Sequence, residues 1–186
     1  MTEHLPERLS IPGFSVGRRY RAINAGRQFF TAYEVDSPSV LSSQPYRERL
    51  NEPTTLTREI MSDGFAHASR TVCERRDVVG SIRGAVAITV ETRDGAAVPS
   101  PELQPLGAAL RQSIVHRESW FAVTGDPPSA EEELRGPDER ISRCLLVEFL
   151  ETESALETAR IIGQEWPEAN VGVYALMCVL HAEAAA

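Results

Sequence analysis

The sequence has 186 residues, 42% hydrophobic and 25% charged, with a net charge of −8 and a pI near 5.1. This acidic balance disfavours nonspecific nucleic-acid binding, and no apolar run or basic leader supports a membrane span or a signal peptide. All 19 basic residues are arginine, which excludes a lysine Schiff base, a phosphate-loop lysine and lysine acid–base chemistry.

Glu3 to Leu9 read as the last turns of a helix, which Pro12-Gly13 ends. Phe14 to Asn24 read as a strand and Ala25-Gly26 as a tight turn. Arg27 to Asp36 form the returning strand of a hairpin, rich in aromatic and β-branched residues such as Phe29, Thr31, Tyr33 and Val35. Ser37-Pro38 starts a helix, with serine at the N-cap and proline at the first helical position. Residues 40–63 look helical with breaks at Pro45 and Pro53, and Phe65 to Arg76 read as a strand. Ile82 to Thr92 are a strand and Asp94-Gly95 a turn. Glu102 to Gln112 are a short amphipathic helix, and Ser113 to Thr124 a strand. Gly125 to Glu139 are a polar loop, and Arg140 to Leu150 a strand. Thr152 caps a helix that runs through Glu165 and stops at Trp166-Pro167. Asn170 to His181 are the last strand.

The second half is therefore β-α-β-β-α-β, a ferredoxin-like unit. The first half is α-β-β-α-β, the same unit without its first strand. The fold class is α+β: two tandem ferredoxin-like repeats, 1–78 and 79–186, forming an intramolecular α+β barrel. The strands at 145–150 and 171–180 are nearly apolar throughout, which calls for burial on both faces and hence a second sheet to cover the face without helices. Val86, Ile88, Leu146, Phe149, Val173 and Leu176 are the expected core. Because the chain opens inside a helix, a start codon upstream of Met1 is expected. The strand edge left open should be covered by a helix, the C-terminal tail or a partner.

His4-Leu5-Pro6, followed by Pro12-Gly13-Phe14 and Arg18-Arg19-Tyr20-Arg21-Ala22, resembles the dimeric α+β barrel superfamily, and within it the EthD-like branch, whose first helix carries His-x-Pro after an aromatic residue. The segments Phe30 to Val35, Ser37 to Leu41 and Pro53-Thr54 are similar to tandem members of that branch. The resemblance covers most of residues 3–76 and only the topology of residues 82–182. It implies the barrel fold and leaves function open, since the superfamily hosts cofactor-free monooxygenases, isomerases, lyases, haem-handling enzymes and proteins without activity.

His4 carries the match to the family motif and is a candidate general base at a barrel mouth. His116, Glu118 and Trp120 alternate on one strand, so they share a face: an acid–base pair beside an aromatic wall, or a half-exposed rim. Arg18 and Tyr20 share a face of the first strand, where Arg18 could hold an anionic substrate. Tyr33 on the hairpin mate is a further catalytic candidate or a hydrogen-bonded structural tyrosine. His67 near a strand start could face the cavity as a substrate contact, whereas His181 is expected to be exposed. The four histidines lack HxH or HExxH spacing, so no metal site is expected. Phosphate-loop, nucleophile-elbow and dinucleotide fingerprints are missing, so no cofactor is expected. Cys73, Cys144 and Cys178 lack CxxC spacing and read as buried free thiols of a reducing compartment, which places the protein in the cytoplasm.

These residues support a cofactor-independent enzyme acting on a small apolar or aromatic molecule in the barrel cavity. The alternative is a non-catalytic barrel that binds a small molecule or is filled by its own side chains. The expected partner is a small-molecule ligand, with neither nucleic acid nor membrane, and a homodimer is a further expectation.

Overall fold

Period-two alternation in the sequence becomes seven strands. The computed structural model of the chain describes residues 4–51, 69–93, 103–124 and 139–183. The strands are β1 (Phe14–Asn24), β2 (Phe29–Val35), β3 (Cys73–Val79), β4 (Val86–Thr92), β5 (Ile114–Ala122), β6 (Arg143–Phe149) and β7 (Asn170–His181). Among the described residues four α-helices accompany them: α1 (His4–Leu9), α2 (Gln44–Asn51), α3 (Ala108–Ser113) and α4 (Thr152–Glu165), with a 3-10 turn at Pro38–Ser42.

All seven strands lie in one sheet, in the order β2-β1-β7-β4-β6-β5-β3. Every neighbouring pair is antiparallel. The two halves join edge to edge twice, through β1 and β7 and through β3 and β5. Where the sequence suggests two facing sheets, the chain forms one curled half-barrel, a mixed α+β fold consistent with an α+β barrel. Register shifts at Arg19/Tyr20, Ala22/Asn24, Arg76/Val79 and Ile114/His116 mark bulges, which sharpen bend and twist. The curl brings Phe30 on β2 to Trp120 on β5, ring centroids 5.9 Å apart. It also brings Glu34 on β2 within 2.9 Å of Arg75 on β3, so the two sheet edges face each other through side chains.

The convex face carries two apolar clusters. Ala155 and Ile162 of α4 pack on Val86, Ile88, Val90, Leu145, Val147, Phe149 and Val173. Leu9, Ile11, Phe14 and Tyr46 form the second, with Tyr33, Val35 and Val40 against them. The concave face holds a third cluster of Tyr20, Ala87, Leu146 and Tyr174, with Ala22, Phe30, Trp120 and Leu176 packed on it.

Several boundaries differ from the sequence reading, each for a physical reason. The helical stretch is interrupted at extended Ser43, and Pro45 then sits in the first turn of α2, where the missing N–H costs no intrahelical bond. The cap of α4 is Glu151, not Thr152, and no side chain caps it. Helix α3 begins only at Ala108, since Gln104 precedes a proline and is steered away from helical geometry. Strand β3 runs three residues past the expected Arg76 and ends at Val79, and the start predicted for it at Phe65 lies outside the described residues. Of the expected core, Val86, Ile88, Leu146, Phe149 and Val173 are buried, and Leu176 is half-buried. Strand β6 is buried on both faces, but β7 is exposed from Met177 onward. Its pairing with β4 stops at Ala175, so only β1 flanks the remainder. The same overhang exposes Cys178, whereas Cys144 is buried, Cys73 is half-buried and all three thiols are free.

Candidate functional site

Strand β5 sets the geometry of the concave face. His116, Glu118 and Trp120 all point inward; the first two are buried and Trp120 partly so. His116 Nδ1 lies 3.1 Å from the Gly80 carbonyl oxygen, and its Nε2 lies 3.2 Å from Glu118 Oε2. A carbonyl can only accept, so these partners assign a proton to Nδ1. A second proton must lie between Nε2 and the carboxylate, because two bare acceptors would repel.

A second carboxylate anchors the layer beside this pair. Glu148 is fully buried and sits opposite His116 in the β5–β6 register. The Tyr20 hydroxyl donates to its Oε1 at 3.2 Å, Arg83 Nη1 donates to the same oxygen at 3.3 Å, and the Gly84 N–H donates to Oε2 at 2.9 Å. A Cβ at residue 84 would lie 2.5 Å from the Phe149 carbonyl oxygen. Only glycine lets this stretch of backbone approach closely enough to reach the carboxylate.

The third carboxylate, Glu34, is hydrogen-bonded by Arg18 and lies 2.9 Å from Arg75 and 3.8 Å from Arg83. Glu118 lies 3.4 Å from Arg83 and 3.7 Å from Arg75. Burial pushes the Glu34 carboxyl up, but the hydrogen bond and charge of Arg18, helped by Arg75 and Arg83, outweigh it and hold the group below the usual carboxylate range. Burial, reinforced by the Glu148 carboxylate, pushes the Tyr20 hydroxyl up. Tyr20 is therefore a fixed donor at neutral pH, not a base. The short connection between β3 and β4 contributes three parts of the site: the Gly80 carbonyl, the Arg83 guanidinium and the Gly84 N–H.

Next to the charges stands an aromatic wall. The Phe30 ring centroid is 5.3 Å from Tyr20, 5.9 Å from Trp120 and 5.6 Å from Tyr174. These separations are in the range of favourable ring pairs. Arg75 sits directly opposite Trp120 in the β3–β5 register, so a guanidinium borders the wall. Burial, then the Glu91 carboxylate, push the Tyr174 hydroxyl up to about 12. Glu91 itself accepts from Asn170 at 2.9 Å and Arg27 at 3.3 Å.

Of the residues singled out in the sequence, the fold gathers Arg18, Tyr20, His116, Glu118 and Trp120. It does not bring Tyr33 to them. That ring lies on the convex face, edge-on to Phe14 at 5.8 Å. His4 opens α1, which packs on the convex face where Leu5 comes near Gly17; its helix and the His116 layer are on opposite sides of the sheet. His67 lies outside the described residues. His181 is exposed, as its position at the end of β7 implies. Sequence reasoning missed Phe30, Glu34, Arg75, Arg83, Glu148 and Tyr174. Glu148 carried a readable signal, since a lone carboxylate inside the apolar run Leu145 to Phe149 must find partners if buried. Arg83 carried none, because its position depends on the turn around it. Among the described residues, no group of three or more His, Cys, Asp or Glu side chains could hold a metal ion. No described helix is long and apolar enough to cross a membrane.

No protein-family model matches the sequence, and a search of curated proteins gives no match either. Among solved structures, the chain is similar to one described as a "Crystal structure study of anthrone oxidase-like protein", with a TM-score of 0.57 at 10% identity. The likeness covers 98% of this chain and 85% of that one. At this identity it shows the fold alone, consistent with an α+β barrel.

Proposed function

We propose that the chain is a cofactor-independent enzyme that moves a proton on a small aromatic molecule held in the concave face of the barrel. The observation that carries this reading is the buried His116–Glu118 pair, 3.2 Å apart, beside the wall of Trp120, Phe30, Tyr20 and Tyr174. A histidine that shares its proton with a carboxylate can pass that proton to a bound molecule and take one back. Arg75 and Arg83 would steady the charge left on the carboxylate. The name of the structural neighbour, an anthrone oxidase-like protein, fits a flat, fused-ring ligand.

The non-catalytic reading has its own support. Both ring nitrogens of His116 are engaged inside the protein, and Phe30 fills the centre of the ring cluster. The protein would then bind its ligand without changing it.

Membership of the EthD-like branch and descent from two ferredoxin-like repeats belong to the same proposal. The strand order β7-β4-β6-β5 of the second half supports the repeat. A homodimer fits the exposed apolar side chains Met177, Val179 and Leu180 on β7, and a cytoplasmic location fits three free thiols.

Native mass spectrometry of the purified protein would identify a retained small molecule, whose turnover is then followed in wild-type and His116→Ala proteins. Loss of a general acid–base group costs about 100-fold or more in rate. Equal turnover by the two proteins would remove His116 from the chemistry. Retention of an unchanged molecule by both would favour the binding protein.

A further inference from the structure

The charges on the concave face do not balance. Arg18, Arg75 and Arg83 bring three positive charges against Glu34, Glu118 and Glu148. The proton between His116 and Glu118 adds a fourth, whichever of the two atoms holds it. Other acids on β3 are spoken for elsewhere: Glu74 bonds Arg76, and exposed Asp77 also acts on Arg76. Among the described residues the cluster therefore keeps one net positive charge. A charge held partly out of water is costly unless something pairs with it. The side chains best placed to receive an anion are Arg75 and Arg83, 43% and 27% exposed, against 8% for Arg18. Arg75 meets Glu34 at 2.9 Å and Glu118 at 3.7 Å through Nη1 alone, and Arg83 meets Glu118 at 3.4 Å and Glu148 at 3.3 Å through one N–H each, so each guanidinium keeps donors to offer.

The geometry points to a monoanion site at the mouth of the curled sheet, in which Arg75 and Arg83 take the carboxylate of a flat aromatic acid while its ring lies against Trp120 and Phe30. This inference rests on the aromatic-ligand reading above and names the class of ligand. Planar guanidinium forks match a planar carboxylate, and Arg75 stands beside Trp120 in register, so one small molecule can touch both. The bound anion cancels the surplus charge, and it does so next to His116, where a proton can be given or taken.

Calorimetric titration with 2-naphthoate and with 2-naphthamide, nearly the same shape without the charge, tests this. The acid should bind about tenfold or more tightly than the amide, the gain usual for a hydrogen bond to a charged group. Added salt should weaken the acid and leave the amide unchanged. Arg83→Gln and Arg75→Gln should each erase most of the difference. Equal affinity of acid and amide for the wild-type protein would overturn the anion site and leave the aromatic reading standing. Failure of both molecules to bind would overturn both. The wild-type comparison needs no variant to fold.

Discussion

Glu148 holds the concave face together at the scale of single residues. It takes hydrogen bonds from a strand tyrosine, a turn arginine and a backbone amide, and it is fully buried. Glu148→Ala leaves Arg83 short of a partner and two buried donors unmet, so it should cost about 3–5 kcal/mol in urea unfolding, the range for breaking a buried ion pair. Tyr20→Phe removes a single bond and should cost about 1 kcal/mol. Similar costs for the two variants would show that Glu148 is not the anchor. Glu34 makes a prediction in pH. Its carboxyl titrates lower in the folded chain than its ordinary value of 4.5. Its ion pairs therefore stabilise fully above that value, and the contribution fades as pH falls through the lower folded value. The stability gap between wild type and Glu34→Gln should be widest near pH 7 and narrow as pH falls below 4.5. A gap that stays constant down to acid pH would mean that Arg18 and Arg75 do not act on Glu34 as described.

At the scale of elements, the connection between β3 and β4 decides the site. Gly80 has φ +100, and a Cβ there would lie 2.2 Å from the Val115 carbonyl oxygen; Gly84 is as tightly enclosed against Phe149. Gly80→Ala and Gly84→Ala should each destabilise by about 1–3 kcal/mol, the usual cost of overpacking. Gly107→Ala, where a Cβ meets nothing within 4 Å, should be close to neutral by the same measure. If all three variants unfold at the same urea concentration, the close approach of this turn is wrong. The turn also shows what could be read in advance. Strands β1 and β7 matched the residue pattern from end to end, and helix α4 did so but for its cap, because alternation and the 3.6 period are local signals. The shared face of His116, Glu118 and Trp120 was legible for the same reason. Arg83 and the Gly80 carbonyl were not, since they enter the site through a turn whose path depends on β5 and β6. Tyr33 misled because alternation states which residues share a face but not which face is concave. His4 opens a helix that packs on the convex side.

At the scale of the whole molecule, the fold makes a vessel from a single sheet. Seven antiparallel strands curl until the β2 and β3 edges meet through Glu34 and Arg75, while helices cover the convex face. The concave face is then left with aromatic rings on one side and an arginine-rich charge layer on the other. Uptake of a ligand by that face is the central proposal. The two tryptophans report on it independently, because Trp120 lies in the concave cluster and Trp166 packs against the convex core under α4. The most direct measurement follows their two indole N–H resonances by NMR during titration with 2-naphthol. A saturable shift of the Trp120 resonance with Trp166 unmoved is the expected result. No saturable shift at Trp120, or an equal shift at both, would contradict it.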